Sequence, residues 1–180
     1  MRKTVHKMFF IWQYDEERQW LNAMDAKGMQ LVGVGFGKYV FEEGDCGRYN
    51  YQLEMLEHGP NHAESEAYIR FMEETGAEYI GNVKTWVYFR KPKADGPFEL
   101  FSDVASRKRH VRRMLGLICP VTLFAFATAL QNLAIGMSMD SVPNICMGIG
   151  VGVLSLAITC GIWRLWKEYR KLKQDMTLHE

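Results

Sequence analysis

The sequence predicts an α+β domain followed by a two-helix transmembrane hairpin. The hairpin is indicated by charge: no charged residue occurs from Met114 to Met139 or from Ser141 to Trp163, and only Asp140 separates the two runs. Each run is longer than the roughly 20 residues that a helix needs to cross the hydrocarbon core of a membrane. The α+β domain is indicated by the preceding residues, where short apolar segments alternate with two stretches of helical periodicity.

The first strand is predicted at Val5–Trp12, a short apolar and aromatic run. A helix follows, because Asp15 is a residue type that caps helix N-termini and Gly28 is the type that ends helices. Glu16 and Glu17 suit the first turn of this helix, where negative charge is favourable. We therefore do not assign these acidic residues to acid–base catalysis.

The rest of the N-terminal half continues this plan. LVGVGFG and KYVFEE predict a hairpin, RYNYQLEML predicts a strand, a second helix begins near Asn61, and AEYIGNV and TWVYFRK close the domain. When the sequence is shifted by 48 positions, Met24 aligns with Met72 and Gly28 with Gly76 without a gap. We therefore expect a tandem βαββ repeat that forms an antiparallel-rich sheet with two helices on one face.

The stretch GVGFGK has the glycines and the lysine of a phosphate-binding loop. In such a loop the glycines lie between a strand and the N-terminus of a helix, where backbone N–H groups meet the anion. Here the glycines follow a predicted helix and precede a strand, and the matching stretch GNVKT keeps only the first glycine. The stretch is interpreted as a strand and hairpin, and no nucleotide site is expected.

Residues that could bind a metal or act as nucleophiles are sparse. His58 and His62 are four positions apart, but Gly59 and Pro60 between them predict a turn instead of the helical spacing of metal ligands. A solvated loop is expected there. No cysteine lies in a CxxC or Cys/His pattern. We expect no catalytic residue, no metal site and no cofactor.

Aromatic residues are dense in the N-terminal half. Because side chains alternate between the faces of a strand, Tyr49 and Tyr51 share one face, and so do Trp86 and Tyr88. Two helices cover six strands incompletely, so these four residues could form an exposed surface that binds a ligand or a protein partner. Packing in the core is the other interpretation, and the sequence leaves both open.

Two basic clusters flank the charge-free runs and predict the orientation in the membrane. The connection GMSMDSVPN has no Lys or Arg, and cationic segments stay on the cytoplasmic side, so both termini are expected in the cytoplasm of a bacterial cell. The residues expected to contact anionic membrane lipid are Arg107, Lys108, Arg109, Arg112, Arg113, Arg164 and Lys167. Their position beside the spans favours this role over nucleic-acid binding.

The second span carries small residues on one helix face. These are Gly148, Gly152, Ser155 and Thr159, at spacings of four, three and four. Small residues at such spacings allow two helix backbones to approach closely. We expect this face to pack against the first span of the same chain or against another copy.

Four blocks of the sequence resemble a known family. WLNAMDAKGMQL, YVFEEGDCGRYNYQLEML, AYIRFMEETGAEYIGNVKTWVYFRK and GPFELFSDVASR occur in this order over roughly residues 5–105. Together they resemble the bacterial domain-of-unknown-function family 2812. The resemblance implies a membrane protein with a cytosolic domain, found mainly in Gram-positive bacteria and often encoded beside a PadR-like transcriptional regulator. It implies no catalytic residue, because the family has no established activity.

The expected organisation follows from these observations. It is a domain at 1–91, a linker and basic juxtamembrane helix at 92–113, spans at 114–137 and 143–165 around an external turn at 138–142, and a basic tail at 166–180. Ser102 or Asp103 should cap the juxtamembrane helix. The expected function is a membrane-tethered module that senses a ligand or binds a protein partner or a second copy, in a regulated envelope response. The alternative is a membrane-associated enzyme that acts on a lipid or lipid-linked substrate.

Overall fold

The computed structural model describes residues 1–98 and 104–177, and the chain divides into two compact units, Met1–Ser102 and Asp103–Glu180. The helix cap expected at Ser102 or Asp103 lies outside the described residues. The elements of the first unit are β1 (Arg2–His6), α1 (Tyr14–Asp25), β2 (Met29–Gly35), β3 (Lys38–Glu43), β4 (Tyr49–Met55), α2 (Ala63–Glu74), β5 (Glu78–Val83) and β6 (Trp86–Pro92). Short 3-10 turns occupy Ile11–Gln13 and Lys93–Asp95. This is the α+β domain that the sequence predicts.

The six strands form two three-stranded antiparallel sheets and not one sheet. The strand orders are β1-β3-β2 and β4-β6-β5. β2 and β5 lie side by side, and each carries a bulge, between Leu31 and Gly33 in β2 and between Tyr79 and Gly81 in β5. Bulges bend a strand and interrupt its ladder, which accounts for two sheets where the sequence suggested one.

The first strand is shorter than predicted and lies earlier in the chain. β1 pairs with β3 from Arg2 opposite Glu42 to His6 opposite Lys38, and β3 begins at Lys38. A longer β1 would have no partner residues. The expectation of a strand over Val5–Trp12 is therefore wrong beyond His6, because pairing, and not apolar character, limits the strand.

Two apolar clusters form the core of this unit. The larger cluster joins α1 to strands of both sheets, and its buried members are Leu21, Leu31, Tyr39, Phe41, Tyr49, Tyr51, Leu53 and Tyr88. The smaller cluster packs α2 on β6 and includes Met72, Val87 and Phe89. Phe98 belongs to the smaller cluster, and the Gln52 side chain donates to its carbonyl at 2.6 Å. The residues that follow β6 thus pack on the domain at least as far as Phe98.

The second unit is an antiparallel pair of long helices, α3 (Val104–Ser138) and α4 (Val142–Thr177). Both are long and apolar enough to cross a membrane. A Cβ atom at Gly148 would lie 2.7 Å from Leu133 Cγ, so the helices touch closely there. Near the opposite end, Arg107 Nη2 donates to Glu168 Oε1 at 2.9 Å. The two basic clusters therefore lie at the same end of the pair.

Candidate functional site

Helix α1 forms hydrogen bonds with the backbone at the start of β4, an edge strand of the second sheet. The Asn22 side chain accepts from the Tyr51 N–H at 3.0 Å and donates to the Tyr51 carbonyl at 3.4 Å. An Asp25 carboxylate oxygen accepts from the Tyr49 N–H at 3.0 Å. An unpaired strand edge invites association with other chains, and these two side chains cover the edge at Tyr49 and Tyr51. The contacts give Asn22 and Asp25 a structural role.

Side chains of the second sheet form similar hydrogen bonds with the backbone of Leu31 on β2. The Leu31 N–H donates to the Tyr51 hydroxyl oxygen at 3.0 Å, and Arg90 Nη1 donates to the Leu31 carbonyl at 3.0 Å. Tyr51 donates in turn to Asp25 at 3.3 Å, and the Arg90 guanidinium lies 4.5 Å from the centre of the Tyr49 ring. Tyr49 and Tyr51 are both buried, so they lie in the packed junction of the two sheets and not on an exposed face.

A buried carboxylate on α1 joins the two sheets at another point. Tyr39 of β3 and Tyr88 of β6 both donate a hydroxyl hydrogen to the same oxygen of Glu17, Oε1, at 2.7 Å each. Glu17 is 7% exposed, Tyr39 4% and Tyr88 5%. We call these three residues the Glu17 cluster. One helix and a strand from each sheet thus hold a carboxylate inside the domain.

The electrostatics of the Glu17 cluster are those of an anion without a cation. Burial raises the pKa of Glu17, and the hydrogen bonds from Tyr39 and Tyr88 oppose this by stabilising the carboxylate. Burial and the nearby charge of Glu17 both raise the pKa of each tyrosine, so their hydroxyls stay protonated donors. In the parts of the chain that the structure describes, Glu17 forms no ion pair with Lys, Arg or His.

Aromatic rings lie on the same face of α1 as Glu17. Tyr14 and Trp20 are three residues before and after it, a spacing that places side chains on one side of a helix. The Trp20 ring packs edge to face on Tyr39 at 4.9 Å between ring centres, and the Tyr14 ring lies 6.4 Å from Trp86. Trp86 is partly buried. Of the four aromatic residues predicted to bind a ligand or partner, Tyr88 is in the Glu17 cluster and Trp86 lies next to Tyr14.

The segment between β1 and the first 3-10 turn covers part of this aromatic face. Phe9 packs on Trp20 with 5.5 Å between ring centres, while its neighbours Met8 and Phe10 are 61% and 54% exposed. The Lys7 ammonium lies 4.7 Å from the centres of both the Phe9 and Trp20 rings. These rings therefore already hold one positive charge by cation–π contact.

Glu17 was not predicted as a site residue, because its place in the first turn of a helix was enough to account for its charge. A signal for burial was present in the spacing. Leu21, four residues on, is fully buried, and Tyr14 and Trp20 flank Glu17 on the same helix face. An acidic residue in the middle of an apolar stripe is a candidate for a buried charge.

The four small residues predicted to pack the second span against another helix differ in burial. Gly148 and Ser155 are buried, Gly152 is partly buried and Thr159 is exposed. A Cβ atom at Gly152 would lie 3.9 Å from Ala129 Cβ, which leaves room for a methyl group. The basic residues expected to contact lipid lie in the first turns of α3 and in the second half of α4, and the lipid contact itself stays a prediction.

The turn predicted around Gly59 and Pro60 is present, with α2 beginning at Ala63 and His62 as its N-cap. The helical i, i+4 arrangement is absent, as predicted, yet the ring centres of His58 and His62 lie 4.1 Å apart. The turn folds the chain back on itself and so brings the two imidazole rings together without a helix.

Comparison with known proteins agrees with the resemblance in the sequence. The family described as a protein of unknown function (DUF2812) matches residues 13–123, which run from the start of α1 into α3. The chain belongs to this family. No curated protein and no solved structure matches it.

Proposed function

We propose that this protein is a membrane-tethered binding module whose N-terminal domain takes a small apolar molecule that carries a positive charge. The observation that supports this proposal is the Glu17 cluster. Among the described residues, this carboxylate has no partner cation, and it lies beside aromatic rings in a domain attached to two helices of membrane-spanning length.

The reason lies in the energetics of a buried charge. Removing a carboxylate from water costs several kcal/mol unless hydrogen bonds and a counter-charge compensate for it. Tyr39 and Tyr88 supply the hydrogen bonds, both to Oε1. A cationic ligand would supply the counter-charge, and its apolar body would pack on the rings of Trp20 and its neighbours. A purely structural polar link between the sheets needs hydroxyl or amide groups but no ionisable acid.

The segment at residues 7–10 offers a route to the Glu17 cluster. It is joined to the β2–β3 turn by one backbone hydrogen bond, from Lys7 N–H to the Gly37 carbonyl at 3.1 Å. Phe9 covers Trp20 and Tyr39, at 5.5 Å and 6.4 Å between ring centres. We propose that an incoming cation displaces this segment and replaces the Lys7 ammonium on the rings.

We further propose that the domain arose from two βαββ units, as the sequence shift suggests. Three features at matching positions support the duplication. The sheets have the same strand order, the bulge at Leu31–Gly33 corresponds to that at Tyr79–Gly81, and Gly28 and Gly76 both end a helix with positive φ, at +76° and +86°. Glu17 and Tyr39 belong to the first βαββ repeat and Tyr88 belongs to the second, so the Glu17 cluster would have formed only when the two repeats were joined.

The membrane unit is proposed to hold the domain in the cytoplasm of a bacterial cell, at the inner face of its membrane. The two basic clusters lie at one end of the α3–α4 pair, where Arg107 and Glu168 are paired. Such a basic end favours the cytoplasmic side and anionic lipid. Ligand binding close to the membrane suits a sensing or adaptor role in an envelope response, with the protein partner or second copy expected from the sequence.

The test compares two probes of nearly equal shape and opposite charge. Purified full-length protein in uncharged micelles is titrated with tetraphenylphosphonium and with tetraphenylborate. The wild type should bind the cation at least about tenfold more tightly than the anion, a difference of about 1.4 kcal/mol. Glu17→Gln should remove that preference, because it keeps the size of the side chain but not its charge.

Glu16→Gln is the matched control, because Glu16 is the neighbouring carboxylate and is exposed. Both probes partition into micelles, and this background is the same for all three proteins. Equal affinity of the wild type and Glu17→Gln for the cation would rule out the proposed site.

A further inference from the structure

Three side chains of types that bind metals meet at the start of α2, away from the Glu17 cluster. They belong to His58, His62 and Glu64, and one potential ligand atom from each lies within 4.8 Å of the others. His58 Nε2 is 3.5 Å from a carboxylate oxygen of Glu64, and the two imidazole rings are 4.1 Å apart. All three residues are exposed.

Backbone and side-chain hydrogen bonds hold this loop in shape. The Ser65 hydroxyl, which is buried, donates to the His58 carbonyl at 3.3 Å. The His62 N–H donates to the Gly59 carbonyl at 3.0 Å, and the Glu66 N–H donates to the His62 carbonyl at 2.9 Å. Both histidines are thus fixed at the backbone. A metal site benefits from such a fixed frame.

A further contact orients the His62 ring, because its Nδ1 accepts the Glu64 N–H at 3.4 Å as the N-cap of α2. A neutral imidazole has one N–H and one lone pair, so in this position the ring carries its hydrogen on Nε2. His62 would therefore bind a metal ion through Nδ1, after the ring turns away from the cap. Because this N–H is that of Glu64, the N-cap hydrogen bond holds the His62 side chain next to the backbone of a second candidate ligand.

We propose that His58, His62 and Glu64 bind one divalent transition-metal ion of the zinc type, with the remaining coordination positions open to water. Two imidazole nitrogens and a carboxylate oxygen form a ligand set that zinc accepts. Bonds of about 2.1 Å in a tetrahedral site separate neighbouring ligand atoms by about 3.4 Å. The pair of His58 and Glu64 already has this separation, at 3.5 Å. A rotation of the exposed His62 ring would bring in the third ligand, and it would break the hydrogen bond of 3.4 Å from the Glu64 N–H.

The helix N-terminus opposes a cation, and the local charge offsets this effect. The partial positive charge at the start of a helix is worth roughly half an elementary charge. Glu64 and Glu66 both lie in the first turn of α2. Two carboxylates exceed the helix-dipole charge, so the site attracts a divalent ion. Binding would link the end of β4 to the start of α2 through three side chains.

The proposal is tested on the full-length protein in micelles with Zn²⁺ alone, by competition with a chromophoric chelator. The variants are His58→Ala, His62→Asn and Glu64→Gln; asparagine is a good N-cap residue and so preserves the start of α2. Each variant should weaken Zn²⁺ binding at least tenfold. The double variant His58→Ala/His62→Asn should bind one equivalent less than the wild type.

His6→Ala is the matched control, because this histidine is also exposed and lies on another element, β1. It should bind Zn²⁺ as the wild type does. Circular dichroism checks that every variant keeps its helices, and Co²⁺ in place of Zn²⁺ should give a visible absorption band that His58→Ala loses. Equal Zn²⁺ uptake by the wild type and the double variant would refute the site, as would an equal loss in His6→Ala.

Discussion

Glu17 and its two tyrosines are the residues on which the stability of the domain interior and the proposed function both depend. The carboxylate accepts two hydroxyl hydrogens, and hydrogen bonds to a charged group contribute about 1.5 to 3 kcal/mol each. Tyr39 and Tyr88 come from different sheets, so the bonds also join the sheets. Loss of either bond should therefore lower the free energy of unfolding of the whole domain.

Tyr88→Phe is expected to lower the free energy of unfolding by about 1.5 to 3 kcal/mol, because it removes one donor from a buried carboxylate. Urea denaturation of the full-length protein, followed by tryptophan fluorescence, measures the change. Tyr79→Phe is the control, since its hydroxyl donates to Asn82 at the exposed surface. A loss as large in Tyr79→Phe as in Tyr88→Phe would contradict the assignment of a buried charge.

The raised pKa of Glu17 predicts a specific pH dependence of stability. The folded protein holds the Glu17 proton to higher pH than the unfolded chain does, so between the two pKa values the folded state binds more protons. Stability therefore falls as pH rises through this window, which lies above the ordinary pKa of glutamate. The contribution of Glu17 is fully present at lower pH.

Glu17→Gln should lack this component, so the stability of the wild type relative to the variant should decrease as pH rises above the ordinary pKa of glutamate. Urea denaturation at a series of pH values provides the comparison. A wild-type advantage that grows with pH would mean that the folded state lowers the pKa of Glu17 instead of raising it.

The position of Glu17 on the apolar face of α1 could be predicted from the sequence, through its spacing from Tyr14 and Leu21. The partners could not be predicted, because Tyr39 and Tyr88 lie 22 and 71 positions away and reach Glu17 only through the sheet arrangement. The same limit applies to Tyr51, whose hydroxyl closes the β2 edge from 20 positions away.

At the scale of elements, local signals predicted the C-terminal ends of the helices better than the start of α1 or the strand limits. Gly28 and Gly76 follow α1 and α2 with positive φ, as expected of glycine after a helix. The expected N-cap Asp15 lies instead in the first turn of α1, and the N-cap is Gln13. The limits of β1 depend on where β3 begins, and the division into two sheets depends on bulges in β2 and β5. Both are consequences of pairing between distant segments, so local composition does not contain them.

The two helix-ending glycines predict unequal effects of the same substitution. A Cβ atom at Gly28 would lie 2.8 Å from the Gly44 carbonyl oxygen, whereas at Gly76 the nearest atom is Lys91 Cε at 3.7 Å. Both Gly→Ala changes place alanine at positive φ, at a cost of about 1 to 2 kcal/mol. Gly28→Ala adds a clash with backbone and should cost at least about 1 kcal/mol more.

Urea denaturation of the two variants measures this difference, with Gly76→Ala as the control for backbone strain alone. Equal losses of stability would show that the backbone around Gly44 yields without cost, and that the contact at Gly28 is not tight.

At the scale of the whole molecule, the length and charge of α3 and α4 predict how these helices would lie across a membrane. The ten residues of α3 before Met114 would add about 15 Å to the helix at 1.5 Å per residue. The helical pair is therefore longer than the charge-free runs, and its basic end would extend beyond the hydrocarbon core. The sequence predicted both spans and their charge pattern, because hydropathy and charge are local properties.

The proposed orientation predicts the location of reporters fused to the chain. A fusion after residue 180 should report the cytoplasm, and an insertion at Ser138, between the spans, should report the outside. Paired reporters, one active only inside and one only outside, measure this in intact cells. A C-terminal fusion active only outside would reverse the orientation and place the Glu17 cluster outside the cell.

The most direct test of the account is to locate the bound cation. Membrane vesicles containing the full-length protein are irradiated with a photoreactive derivative of tetraphenylphosphonium, and labelled peptides are identified by mass spectrometry. We predict labelling of the α1 peptide that carries Trp20. Excess unlabelled cation should abolish this labelling, Glu17→Gln should also abolish it, and Glu16→Gln should leave it unchanged. Labelling confined to α3 and α4, and identical in the wild type and Glu17→Gln, would contradict the proposed binding site.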